Sequence, residues 1–304
     1  VPPPLQRALA LTLGLGLSAA AVAALEVHFR REETSLVYLW DSGRRFATRP
    51  GVGGSNAQSY HERALERAGA RRDIVVLGDS MTWGTSAEEA WPRVWESTLT
   101  GRRVWNLSHY GYDVAQAGAV LAEDGWGLDP ALVVYAAYTN DPIPSRIIDV
   151  AGRPVWVGPD MFWFRRSSAL VRRLEGAWLA PSAPKLPDWT FYTEELQKMA
   201  AACAARGVPL VVLGLVPHVL SHDAAECSTR LARPGHCEGE LAIAAEQARI
   251  SAGLGLQHVP TRAAWLGLDV GDTPGDWQHP GVEGHRLLGR YVAGVLADTT
   301  AGLP

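Results

Sequence analysis

The stretch DIVVLGDSMTWG, residues 73–84, decides the reading of this chain. Its apolar run, Ile74–Leu77, stops abruptly at Gly78-Asp79-Ser80. A short apolar run closed by a turn reads as a strand buried on both faces that feeds a tight loop. The Ser80 hydroxyl is then left at the carboxyl end of a strand, where open α/β sheets carry their chemistry. A serine so placed is a candidate nucleophile, provided that a base, an orienting acid and oxyanion donors come from elsewhere in the chain.

Outward from this stretch the chain alternates. Strand patterns fall at Ile74–Leu77, Arg103–Leu107, Leu132–Ala136, Leu210–Leu215 and Leu256–Val259. Helical patterns fall at Glu88–Thr98, Val114–Glu123, Thr193–Arg206, Gly239–Ala252 and Val282–Ala297, and Tyr60–Ala68 also has helical character. Apolar strands alternating with helices imply a parallel sheet covered on both faces. Right-handed crossovers then favour a three-layer α/β/α sandwich with a five-stranded parallel sheet. Pro142–Trp189 does not fit the alternation. It is rich in Pro and Trp, with Arg165, Arg166, Arg172 and Arg173 set among apolar residues. Three readings stay open for it: a cap helix with a solvated arginine face, a lid or binding loop, or a basic helix on a membrane surface.

The composition, 47% hydrophobic and 20% charged over 304 residues with a net charge of −4, is ordinary for a globular protein. It shows no basic stripe suited to nucleic acid. Before the alternating region lies Ala8–Leu25, eighteen residues without a charge. That length suits a membrane-spanning helix near the short end of the range. A signal peptide cleaved at Ala21-Val22-Ala23 and a buried soluble helix are the other readings. Cys203 sits in an Ala-rich helical pattern and reads as a buried free thiol. Cys227 and Cys237 share one polar loop, either as a disulfide in an extracytoplasmic domain or as two unpaired thiols. Their spacing with His236 fits no common zinc pattern.

Three further segments carry polar groups to the ends of strands. In VWNLSHYGYD, residues 104–113, a strand ends at Asn106 and Gly111 follows, where glycine lets a backbone N–H face a ligand. In LVVYAAYTND, residues 132–141, the strand ends at Thr139-Asn140-Asp141, and an Asn there can donate its amide into a site. In DWQHP, residues 276–280, Asp276 and His279 lie in one short loop. There the carboxylate can hold one imidazole nitrogen and leave the other free as a base.

Together these motifs resemble the SGNH hydrolase superfamily, the GDSL esterases and lipases. The resemblance lies in Gly78-Asp79-Ser80, in Asn106…Gly111, in Thr139-Asn140-Asp141 and in Asp276…His279, in the family's order over Asp73 to about Leu296. It implies Ser80 as nucleophile, His279 as general base and Asp276 as its orienting acid. It also implies an oxyanion hole made of the Ser80 and Gly111 N–H groups and the Asn140 side chain. Tyr138 stands where the family usually has glycine, which bears on substrate size, so Tyr138 and, near Gly111, His109 are candidate substrate contacts. His285 reads as structural, and His218 and His222 as cleft-lining. The implied reaction is hydrolysis of a carboxylic ester, an O-acylated glycan or a lipid, without metal or organic cofactor. Acyl transfer to a cell-envelope glycan and a catalytically silent binding module on the same fold are the alternatives. The expected organisation is an anchor or signal segment over 1–33, a connecting segment over 34–70, and a hydrolase domain over 71–304 with a cap or insertion at 142–189. The expected location is the cell envelope, membrane-anchored with the catalytic domain outside the cytoplasm, or secreted.

Overall fold

The structure, a computed structural model, describes residues 3–33, 38–41, 45–48, 50–51, 54–66, 72–84, 89–144, 146–148, 154–156, 168–171, 174, 186–221, 227, 235–265 and 278–303. Helix α1 (Pro3–Glu33) is followed by a hairpin of β1 (Tyr38–Asp41) and β2 (Arg45–Thr48). The central sheet has five parallel strands: β3 (Asp73–Gly78), β4 (Val104–Asn106), β5 (Pro130–Ala137), β8 (Leu210–Gly214) and β9 (Gln257–Pro260). Their spatial order is β4-β3-β5-β8-β9. The remaining pair, β6 (Arg146–Ile148) and β7 (Pro154–Trp156), forms a hairpin inside the insertion, which the sequence reading did not foresee.

Side chains on a strand point alternately to opposite faces, and the apolar strands divide accordingly. Ile74, Val76, Leu132, Val134, Val211 and Leu213 form one core with Trp91, Trp95, Leu288 and Val292. These belong to α3 (Trp91–Glu96) and α7 (Val282–Val295). Val75, Leu77, Val133, Tyr135 and Val212 form the other core with Val120, Leu121, Tyr192, Leu196 and Met199, from α4 (Val114–Glu123) and α5 (Trp189–Ala204). The sandwich expected from the sequence is therefore present. Helix starts follow local chemistry: Asp113 and Gln116 form a reciprocal capping box on α4, and Asp188 caps α5 through the Phe191 N–H, so that the helix begins at Trp189, four residues before the pattern at Thr193.

The expected helix at Tyr60–Ala68 is absent over its described part, residues 60–66. Asn56 Oδ1 accepts from the Gln58 and Tyr60 N–H groups at 2.9 and 3.0 Å, an Asx turn that offers the backbone an alternative to helix. The segment instead packs on the sheet edge through charge. Glu96 accepts from both Arg63 guanidinium nitrogens at 2.8 and 2.7 Å, from Arg93 at 2.5 Å and from the Val104 N–H at 2.7 Å. Glu62, 6% exposed, accepts from Arg93 at 2.5 Å and from the Asn106 N–H at 3.0 Å. Burial works to raise the Glu96 pKa, but the Arg63 and Val104 hydrogen bonds and the arginine charges outweigh it and hold the carboxyl below its usual range. For Glu62 burial wins and its pKa is raised.

The substitution Glu96→Gln leaves Arg63 and Arg93 underpaired, and we expect a loss of about 2 kcal/mol in denaturant unfolding at neutral pH. A lowered native pKa contributes stability above the unfolded value of 4.5 that disappears as pH falls through the native value. The difference between wild type and variant should therefore shrink in acid.

Candidate active site

Strand β3 ends at Gly78, where a Cβ would lie 2.8 Å from Thr82 Oγ1 and 3.0 Å from the Ala136 carbonyl oxygen, so the turn admits no side chain. Asp79 follows as the cap of the one-turn helix α2 (Ser80–Trp83), its Oδ1 accepting the Met81 N–H at 2.9 Å. Ser80 thus begins a helix at the carboxyl end of a central strand. His279 precedes α7, and its Nε2 lies 2.8 Å from Ser80 Oγ across 199 residues of sequence. The three-layer sandwich thus brings Ser80 and His279 together at the carboxyl edge of its sheet.

Two further loops hang on the same sheet. The β3–β4 ladder continues beyond Asn106, with the Leu107 N–H on the Val76 carbonyl at 2.9 Å and the His109 N–H on the Gly78 carbonyl at 3.1 Å. This draws the loop toward the nucleophile turn, and Gly111 at its tip has φ +68°, which favours glycine. At the end of β5, Asp141 accepts from the Tyr138 N–H at 2.9 Å and from the Tyr135 hydroxyl, folding back a turn that presents the half-buried Asn140. Behind this turn, in helix α6 (His236–Gly253), the Gln247 amide donates to the Tyr138 carbonyl at 2.7 Å. A disulfide joins Cys227 to Cys237 at the start of α6. Cys203 is free and buried, and burial pushes its thiol up to about 11.

Asp79 is fully buried. Burial raises its pKa to about 6, against the Met81 N–H, the nearby His279 and the Asn140 side chain. Asp141, also fully buried, is raised well above the carboxylate range by burial and by the charge of Asp79. Asp79 is thus influenced by both His279 and the Asn140 side chain.

Other expected site residues fall as follows. Asp276 lies outside the described residues, as do Arg165, Arg166, Arg172, Arg173 and His222. Tyr138 is 2% exposed and its ring joins the core with Met81, Val216 and Val219. His109 is fully buried: its Nε2 accepts the Thr48 N–H at 2.5 Å, and its ring stacks on Tyr112 at 4.4 Å. The structure places both Tyr138 and His109 in the interior. His285 is buried, accepts the Trp91 N–H at 3.4 Å, and is held neutral by burial, which with the His279 and His61 charges lowers its pKa to about 4. His218 is buried, its Nδ1 3.4 Å from the Gln278 carbonyl.

The sequence reading missed an aromatic brace. His61 Nδ1 meets the Trp83 carbonyl at 3.0 Å and its ring stacks on Trp83 at 5.0 Å. Trp83 in turn packs against Tyr110 at 5.5 Å, and Tyr110 faces the His279 ring at 6.3 Å. The helical character read over Tyr60–Ala68 gave no sign of this partnership, which joins His61 to a residue 22 positions away.

No protein-family model and no curated protein matches the chain. Similar solved structures include a lipase/acylhydrolase from Enterococcus faecalis (15% identity, TM-score 0.48, covering 75% of this chain and 96% of that one). An esterase, EstA, from Pseudoalteromonas sp. aligns at 12% identity and TM-score 0.48 over 76% of this chain and 100% of that one. A GDSL-like lipase from Bacteroides thetaiotaomicron aligns at 16% identity and TM-score 0.46 over 78% and 93%.

A raised carboxyl pKa stabilises the folded state at low pH, and that contribution is lost as pH rises through the native value. Wild type should therefore lose stability relative to Asp79→Asn between the ordinary value of 3.8 and about 6. The difference is on the order of 3 kcal/mol at full ionisation, read from denaturation midpoints of the two proteins across that pH range.

Proposed function

We propose that the protein is a serine esterase that cleaves a carboxylic ester through an acyl-serine intermediate. The observation that carries this is the 2.8 Å contact between Ser80 Oγ and His279 Nε2 at the carboxyl end of β3. With Nε2 accepting, the imidazole proton sits on Nδ1, where Asp276 is the partner that the loop spacing offers. Ser80 Oγ attacks the ester carbonyl and His279 takes its proton. The tetrahedral oxyanion is met by the N–H groups of Ser80 and Gly111 and by the Asn140 amide. His279 then returns the proton to the leaving alkoxide, freeing the alcohol. Water, activated by the same imidazole, releases the acid and restores Ser80.

Two features favour a substrate in the cell envelope, an O-acylated glycan or a lipid ester. Helix α1 is long and apolar enough to cross a membrane, by length and composition, and we read it as an anchor. The Cys227–Cys237 disulfide suits an oxidising compartment.

Hydrolysis of p-nitrophenyl acetate should fall at least about 10³-fold in Ser80→Ala and about 10²-fold, mainly in kcat, in Asn140→Ala. A fluorophosphonate should label the wild type at Ser80 and leave Ser80→Ala unlabelled. Wild-type rates in Ser80→Ala would end the proposal.

A further inference from the structure

The uncharged part of α1, Ala8–Leu25, is about 27 Å long at 1.5 Å per residue, close to the ~30 Å of a bilayer's hydrocarbon core. Leu11, Leu13, Leu15, Leu17 and Val22 around it are each more than half exposed, on every side of the helix. A bilayer is the one occupant that covers an apolar helix all round. Glu26 is the first charge after this stretch, so it marks the level at which the helix leaves hydrocarbon.

Glu26 is not simply solvated. Its carboxylate accepts from Ser168 Oγ at 2.8 Å, from the Ala169 N–H at 3.1 Å and from the Leu170 N–H at 2.9 Å, all in the insertion. Arg30 on the next turn of α1 also donates to it, at 2.6 Å. Ser168 Oγ accepts the Val171 N–H at 3.1 Å, so the donors that open this helical turn are met. A second tie lies close by in sequence: β1 and β2, just after α1, pack against β6 of the insertion. The insertion begins two residues after Asn140, and its base is closed by the Asp188 N–H on the Pro142 carbonyl at 2.8 Å.

We propose that Ser168–Val171 together with Leu174 is a membrane-interface element, latched at headgroup level by Glu26, with the 60% exposed Leu174 seated against lipid. This rests on reading α1 as a retained anchor. It gives the insertion a partner, the bilayer surface, and ties the turn bearing Asn140 to that surface through a closed base.

The test uses the full chain reconstituted in phosphatidylcholine vesicles carrying a headgroup nitroxide. A bimane label on Leu174→Cys is compared with one on Lys198→Cys, an exposed site on α5. The native cysteines do not compete, since Cys203 is buried and Cys227 and Cys237 are joined. Interfacial elements lie within ~5–10 Å of the headgroup boundary, so the label at 174 should be quenched at least about twofold more than the label at 198. Adding Glu26→Ala should return quenching at 174 toward the control. Equal quenching at both sites, or quenching at 174 unchanged by Glu26→Ala, overturns the latch while leaving the anchor and the esterase standing. Failure of the chain to float with the vesicles, or a mature chain that begins after Ala23, overturns the anchor and the latch with it. Each of these readouts is independent of ester hydrolysis, and Ser80→Ala should give the same quenching as wild type.

Discussion

The backbone of β3 is the ruler from which the site is measured. It is buried on both faces and pairs with β4 on one side and β5 on the other. Parallel pairing fixes where each neighbour ends relative to Gly78. The ladder runs on past β4 through the Leu107 and His109 N–H groups and carries Gly111 toward Ser80. On the other side β5 aligns Ala136 with Gly78 and delivers Asn140 four residues later. Three loops from distant parts of the chain thus converge because three strands stop in register. A shift of one residue in either pairing would send each side chain into the opposite core, so the same apolar packing that stabilises the sheet also sets where its loops begin.

The electrostatics around that ruler are lopsided. Asp79 and Asp141 are both buried, and each resists ionisation, the second partly because of the first. What offsets the cost is mostly hydrogen bonding, from backbone N–H groups, the Tyr135 hydroxyl and the Asn140 side chain, with the charge of His279 acting on Asp79. In the proposed reaction His279, beside Asp79, takes up the Ser80 proton, so this carboxyl acts on the imidazole from beneath the proposed nucleophile rather than from the position proposed for Asp276.

Much of this was legible before any coordinates. The strands were readable because a doubly covered sheet demands unbroken apolar runs, and the order of GDS, Asn106…Gly111, Thr139-Asn140-Asp141 and Asp276…His279 is covalent information. What was not legible has a common cause: it depends on partners far apart in sequence with no periodic signature. His109 looked like a substrate contact because it adjoins Gly111, but Thr48, 61 residues earlier, draws its Nε2 inward. Tyr138 looked like an obstacle beside Asn140, but its backbone is held by Asp141 and Gln247 while its ring joins the core. Glu62 and Arg63 sat in a run that looked helical until Asn56 captured its backbone.

That last segment packs as part of the sheet's surroundings. Composition draws a boundary near residue 71, at the first strand of the sheet. Yet Thr48 holds His109, His61 backs Trp83, and Glu62 and Arg63 complete the ion network on α3 and β4. The described residues between the apolar helix and the sheet are therefore working parts of the packing around Ser80, and a substitution at Thr48, His61, Glu62 or Arg63 reaches the loops beside that serine without touching it.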